Sequence, residues 1–178
     1  MVTVVKDTNI LIDLFNTGLI RYCQQLDISF HTTTYVAGEV INAGQWRLFE
    51  GLMRNGVITV DSFEGEQSLE LSMETSKYQL ISNLSQADCS VMLLAERLSC
   101  RLLTADKKLR HHAELRGVSV SGFLWIVDQF VEAQIVTPEE MIGYLKIYKE
   151  TNSRIPKETE ALINKYKQMV KNQNNREL

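Results

Sequence analysis

Four acidic residues have the types and positions that could do chemistry in this sequence: Asp7, Glu39, Asp88 and Asp106. Two of them, Asp7 and Asp106, each follow a short apolar run that is typical of a buried strand. In open α/β sheets, ligands bind outside the carboxyl ends of the strands. We therefore expect these two aspartates to lie at the edge of a sheet where a ligand binds.

Each acid also has a plainer structural interpretation, which the spacing alone leaves open. Asp7 could merely cap the helix that follows it, because aspartate is a favoured residue at that position. Ser85 and Asp88 match the capping box that begins a helix. Glu39, taken alone, is more typical of a solvated helix residue than of a ligand.

If the four carboxylates do meet, electrostatics limits what they can be for. Unpaired carboxylates about 4 Å apart repel each other by roughly 1 to 4 kcal/mol per pair, depending on the local dielectric. Such a cluster is tolerated chiefly when a cation neutralises it, and hard oxygen ligands select Mg²⁺ or Mn²⁺. A site of this kind is typically used for phosphoryl chemistry.

The elements that must position these acids follow from hydrophobic periodicity. Strands are predicted at residues 2–5, 28–32, 57–60, 101–103 and 118–120, with helical patterns between them. This alternation predicts a parallel sheet with helices on both faces. The end of the chain differs, since Thr137-Pro138-Glu139-Glu140 and Ile155-Pro156 mark the starts of two further helices. We therefore predict an α/β domain over residues 1–134 and a helical extension over 135–178, packed on the same domain.

Composition bounds the class of protein. The chain has 178 residues, and a net charge of −3 shows no general basic surface. Three scattered cysteines are too few for a disulfide framework or a zinc site and favour a reducing compartment. The most apolar long segment is interrupted by charged and polar residues, so no membrane span is expected. Lys6 and Asp7 come too early for the apolar run of a signal peptide, so none is expected either. We expect a cytoplasmic protein.

Four sequence motifs, taken together, resemble those of a known family. They are Lys6-Asp7-Thr8-Asn9, Glu39, Ser85-Gln86-Ala87-Asp88 and Leu103-Thr104-Ala105-Asp106. In order and spacing they are similar to the acidic motifs of PIN-domain nucleases, over about the first two thirds of the chain. Each motif is only moderately specific alone, but all four in the family's order make a specific pattern.

The resemblance implies a fold and a reaction. The fold is a three-layer α/β/α PIN-like domain with a short parallel sheet and added C-terminal helices. The reaction is hydrolysis of RNA phosphodiester bonds, with Asp7, Glu39, Asp88 and Asp106 as the catalytic acids that bind Mg²⁺ or Mn²⁺. Asn9 and Thr104 would support them by hydrogen bonding.

Positive charge beside the proposed site comes from Lys107, Lys108 and Arg110, which we expect to bind substrate. The neighbouring His111 and His112 are interpreted as helix-surface residues, because adjacent helical positions point about 100° apart.

Many bacterial members of the family are toxins of the virulence-associated protein C type, each blocked by a small antitoxin. The resemblance therefore implies the toxin of such a pair. Apolar stripes on the last two helices could remain partly uncovered by the core, and on that basis we expect self-association and a small antitoxin partner. The alternative is a catalytically silent PIN-like module that binds RNA or protein. Four retained acids argue against it, because such a module has no need to hold mutually repelling carboxylates together.

Overall fold

One parallel sheet organises the first part of the chain. The computed structural model describes residues 2–40, 43–153 and 155–174. The strands are β1 (Val2–Lys6), β2 (Ile28–Thr33), β3 (Ile58–Asp61), β4 (Arg101–Leu103) and β5 (Val120–Ser121). Their order in the sheet is β3-β2-β1-β4-β5, and every neighbouring pair is parallel. The chain builds one side of β1 first and then crosses to the other, so the switch point lies between β1 and β4.

Helices connect the strands, and further helices follow the last strand along the chain. They are α1 (Thr8–Thr17), α2 (Thr34–Gly38), α3 (Ala43–Arg54), α4 (Glu66–Ser82), α5 (Gln86–Arg97), α6 (Lys107–Leu115), α7 (Phe123–Glu132), α8 (Pro138–Thr151) and α9 (Glu158–Asn174). A 3-10 helix, Leu19–Gln25, lies between α1 and β2. Within the described ranges, none of these helices combines the length and apolar character needed to cross a membrane.

The centre of the sheet is covered by α5. This helix contacts β1, β2 and β4, and its residues from Cys89 to Ala95 are all buried. On β1, Val4 and Val5 are fully buried. Burying this apolar surface fixes α5 against the middle strand, and the start of α5 carries Asp88.

The chain divides into two compact units that interleave in sequence. The first comprises residues 1–11 and 27–123, and the second comprises residues 12–26 and 124–178. All four acids of interest belong to the first unit. The predicted domain boundary after residue 134 stays a prediction.

Within the second unit, the apolar stripes of α8 and α9 are covered. Met141, Leu145 and Tyr148 on α8 are at most 2% exposed, and Leu162 and Tyr166 on α9 are also buried. The two helices contact each other, as expected for a hairpin. The expectation that these stripes stay partly uncovered is therefore wrong for these five residues, while Met169, the sixth residue of the stripes, is half-buried. The five buried residues do not support a partner surface.

Several boundaries differ from the sequence pattern for physical reasons. The helix expected to continue through Ile41 ends at Gly38, so Glu39 is its C-cap residue; Ile41 itself lies outside the described residues. The acidic stretch before residue 74 extends into a helix that ends at Ser82, where Asn83 adopts a left-handed conformation with φ 57°. Asparagine tolerates that conformation, which is why α4 ends there.

A buried pair of hydroxyl groups joins the helices that carry two of the acids. Thr33 is the N-cap of α2, and its Oγ1 accepts a hydrogen bond from the Val36 amide at 3.3 Å. The same Oγ1 lies 2.7 Å from Ser90 Oγ on α5, and Ser90 Oγ donates to the Ala87 carbonyl. Thr33 therefore donates to Ser90 and links the segment leading to Glu39 with the helix of Asp88.

We predict that Thr33→Val lowers the free energy of unfolding by about 1 to 3 kcal/mol, because it removes the cap and leaves buried polar groups without a partner. Thr34→Val is the matched control, since Thr34 is the exposed neighbour; it should change stability by less than about 0.5 kcal/mol. Urea unfolding of both variants measures the difference. Equal losses would contradict the role assigned to Thr33.

Candidate functional site

The side chain of Asp7 lies at the carboxyl end of the central strand. Lys6 pairs with Leu103 in the sheet, and the Asp7 amide donates to the Leu103 carbonyl at 3.1 Å. The Asp7 side chain is only 2% exposed. It lies at the switch point between β1 and β4, where the sheet topology predicts a ligand.

Polar donors surround the Asp7 carboxylate. Thr104 Oγ1 donates to its Oδ2 at 2.8 Å, and Asn9 Nδ2 lies 3.4 Å from the same oxygen. The Thr8 amide donates to its Oδ1 at 2.6 Å. Within the described ranges, no basic side chain forms an ion pair with Asp7. The supporting roles expected for Asn9 and Thr104 therefore have contacts to match them.

Burial raises the pKa of Asp7 from 3.8 to about 6. The negative charge of Asp88 raises this pKa further, while the hydrogen bonds from Thr104, Thr8 and Asn9 lower it. The net rise means that burial and repulsion outweigh three donors. A carboxylate in this position favours a neighbouring cation.

Thr104 connects Asp7 to Asp106. Its Oγ1 donates to Asp7 and accepts a hydrogen bond from the Asp106 amide at 3.0 Å. Asp106 is the N-cap of α6, and its Oδ1 accepts from the Lys108 and Leu109 amides at 2.7 and 2.8 Å. Its Oδ2 has no hydrogen-bond donor among the described residues. One oxygen of Asp106 therefore holds the helix and the other is available to a ligand.

Asp88 also combines a cap with an available oxygen. Its Oδ2 accepts hydrogen bonds from the Ser85 amide and Ser85 Oγ, both at 2.8 Å, and Ser85 Oγ accepts from the Asp88 amide at 3.1 Å. The capping box predicted from the sequence is thus formed. Asp88 Oδ1 has no donor within the part of the chain described. The cap interpretation and the ligand interpretation are compatible, because they use different oxygens.

Glu39 reaches the site through Thr8. The Thr8 hydroxyl donates to Glu39 Oε2, and Thr8 directly follows Asp7. Glu39 is exposed, unlike Asp7. The role of Thr8 was missed from the sequence, although Thr8 belongs to the motif around Asp7. Only the placement of Glu39 after α2 reveals it.

These residues fit a divalent cation in charge and donor type. The acids offer oxygens alone, which suits Mg²⁺ or Mn²⁺. The pKa of Asp7 is raised chiefly by burial and further by the charge of Asp88, and a bound cation would offset both effects. Among the described residues, however, no three acidic, histidine or cysteine side chains are grouped closely enough to hold a metal ion. Binding would therefore require some of these side chains to move closer together.

The three basic residues expected to bind substrate have different contacts. Arg110 donates to the carbonyls of Val120 and Thr104, so it braces the ends of β4 and β5. Lys108 Nζ donates to the Ser82 carbonyl at 3.0 Å. Lys107 is exposed and forms no ion pair within the described ranges. Substrate binding by these residues stays a prediction, and of the three Lys107 is the most available for it.

The raised pKa of Asp7 gives a pH-dependent stability whose sign can be stated. Below about pH 4 the carboxyl is protonated in both the folded and the unfolded chain. Between about pH 4 and 6 only the unfolded chain ionises, so stability falls. Above the pKa of Asp7 in the folded protein, the loss in the free energy of unfolding is constant, at about 3 kcal/mol.

We predict that Asp7→Asn removes this decline in metal-free protein, so that the variant gains stability relative to wild type as the pH rises from 4 to 7. Urea unfolding in a chelator measures the difference between the two proteins. Burial also raises the pKa of Asp13 to about 6, so Asp13 gives both proteins a similar pH dependence. The stability curve of the variant is therefore subtracted from that of wild type to isolate the effect of Asp7. Parallel curves for the two proteins would contradict the account.

Comparison with known proteins supports the sequence resemblance. The family model DUF3368, described as a PIN domain, matches residues 3–168. No curated protein matches the chain. Among solved structures, it is similar to a PilT N-terminus domain protein from the hyperthermophilic archaeon Sulfolobus solfataricus P2. The identity is 13% and the TM-score 0.41, over 74% of this chain and 92% of that one.

A second similar structure is FitAcB from Neisseria gonorrhoeae, with 13% identity and a TM-score of 0.42 over 66% of this chain and 95% of that one. The expected fold class is confirmed, since the described residues form a parallel sheet of five strands with flanking helices. The family match covers nearly the whole chain, and the protein therefore belongs to the PIN-domain family.

Proposed function

We propose that this protein is a divalent-metal-dependent endoribonuclease that acts through Asp7, Glu39, Asp88 and Asp106. PIN domains are generally nucleases. The observation that carries the proposal is the buried Asp7 carboxylate, whose raised pKa comes from burial and from the charge of Asp88. Thr104 bonds it to the segment that carries Asp106.

Each acid has a distinct part in this proposal. Asp7, Asp88 and Asp106 would hold Mg²⁺ or Mn²⁺ through oxygens that lie at the carboxyl edge of the sheet, and Glu39 would join them through Thr8. A bound ion of this kind neutralises phosphate charge and lowers the pKa of water, which supplies the nucleophile. Thr104 and Asn9 keep Asp7 oriented by donating to Oδ2.

Lys107 would attract the substrate. It directly follows Asp106 at the start of α6, where its charge offsets the net acidity of the chain for an approaching polyanion. RNA, rather than a small phosphate ester, is the substrate that the family resemblance implies.

The second candidate is a catalytically silent module that binds RNA or protein. The observation in its favour is that the described residues hold no compact group of three metal-ligating side chains. Metal-dependent cleavage separates the two candidates, because a silent module binds without turnover.

We also propose that the nuclease is the toxin of a toxin–antitoxin pair and that it self-associates. Leu69 and Met73 on α4 are 64% and 66% exposed and lie one helical turn apart, which is the kind of apolar surface that a second chain covers. Co-expression with the adjacent open reading frame, followed by co-purification and sizing, tests both partners. If the protein is a monomer, does not co-purify with the product of the adjacent reading frame and does not harm its host, the toxin assignment is wrong. The nuclease proposal would be unaffected.

The two functions of Asp88 give the sharpest test of the site. We predict that Ser85→Ala lowers the free energy of unfolding by about 0.5 to 2 kcal/mol, because it removes the cap, while turnover per folded molecule is kept. Asp88→Asn retains an acceptor for the cap but should lose about 100-fold in turnover, on the order of 3 kcal/mol of transition-state stabilisation.

The measurements are urea unfolding and cleavage of a labelled RNA in saturating Mn²⁺, with a chelator as the metal-free control. Asp106→Asn should follow Asp88→Asn in activity. Wild-type turnover in both aspartate variants would show that the site is assigned wrongly.

A further inference from the structure

A cavity of about 570 Å³ lies between the end of α4 and the first half of α6. Residues 79–83 form one wall, and Lys107, Lys108, His111 and His112 form the other. The cavity is a shallow depression that is largely open to solvent, with a volume in the range of about 300 to 1,000 Å³ found for ligand sites. The interpretation of His111 and His112 as simple helix-surface residues therefore overlooked a cavity, which no pattern in the sequence revealed.

The cavity is basic, and two of its side chains are fixed by contacts to α4. Lys108 Nζ donates to the Ser82 carbonyl, and His112 Nε2 lies 2.5 Å from Ser82 Oγ. No acidic residue lines the cavity within the described ranges. Lys107 has no ion pair there either, so its charge is available to an anion. On a chain of net charge −3, this is a local site for an anionic group.

Aromatic and apolar surfaces accompany the charge. The rings of Tyr78 and His112 are 4.9 Å apart, and those of His112 and His111 are 5.3 Å apart. His111 is the exposed end of this series. On the opposite wall, Leu80 and Ile81 are 88% and 64% exposed. Positive charge beside an exposed ring and apolar side chains is the combination that binds single-stranded nucleic acid.

Both walls continue directly into the candidate site. Lys107 follows Asp106, and Asn83 lies two residues before Ser85, which bonds to Asp88. We propose that the cavity binds a nucleotide of single-stranded RNA next to the scissile phosphodiester. Lys107 contacts its phosphate, and its base stacks on the His111 ring. This subsite rests on the proposed function, because it assumes that the scissile bond lies among the four acids.

The test combines cleavage kinetics in Mn²⁺ with photo-cross-linking. Lys107→Gln and His111→Ala should each raise KM for a single-stranded RNA by about tenfold with kcat nearly unchanged. His111→Phe should restore the wild-type KM, because a phenyl ring also stacks. Arg54→Gln is the charge-matched control, since Arg54 is on α3, pairs with Glu50 and does not line the cavity; it should leave KM unchanged.

Cross-linking of a thiouridine-containing RNA to wild-type protein should map to residues 107–112. Cleavage with unchanged KM in Lys107→Gln and His111→Ala, or cross-links elsewhere, would overturn the subsite and leave the nuclease intact. Cross-links at residues 107–112 without cleavage would support RNA binding in the cavity and overturn the nuclease, and with it the placement of the cavity beside a scissile bond. Poly-glutamate carries charge but no bases. If it displaces RNA equally well from wild type and from His111→Ala, the His111 ring does not stack on a base, and the cavity would be assigned to an acidic protein segment instead.

Discussion

The carboxylate of Asp7 is buried at the end of the central strand without an ion pair to any described residue, and much of the site is arranged around it. Burying a carboxylate disfavours its charged form, and the charge of Asp88 adds to this. Thr104, Asn9 and the Thr8 amide reduce the cost by hydrogen bonding but do not cancel it. Ionised Asp7 therefore destabilises the metal-free fold, and it lies at the switch point of the sheet, where ligands bind in open α/β folds.

The same local structures that build the fold also hold Asp106 and Asp88 in place. Asp106 and Asp88 each use one carboxylate oxygen to begin a helix and leave the other without a donor in the described residues. The register of β1 with β4 puts Thr104 beside Asp7. Capping and sheet register therefore position these side chains, and each of the two caps still leaves one carboxylate oxygen without a donor among the described residues.

The sequence predicted the features that depend on local chemistry. An apolar strand ending in an acid, at Asp7 and at Asp106, is visible because strand and cap preferences are local. The capping box at Ser85 is visible for the same reason. The link from Thr8 to Glu39 was not predictable, because it depends on where α2 ends in space. Similarly, the covering of Met141 and Leu145 depends on the packing of the second unit, and periodicity shows only that a face is apolar.

Calorimetric titration of Mn²⁺ tests the central claim most directly, because it measures the charge state of Asp7 when the cation binds. At pH 6, in two buffers of different ionisation enthalpy, wild-type protein should release about half a proton from this carboxyl per bound ion. The release should fall towards zero near pH 8, and Asp7→Asn should bind more weakly without it. Equal affinity in both proteins with no proton release would contradict the account.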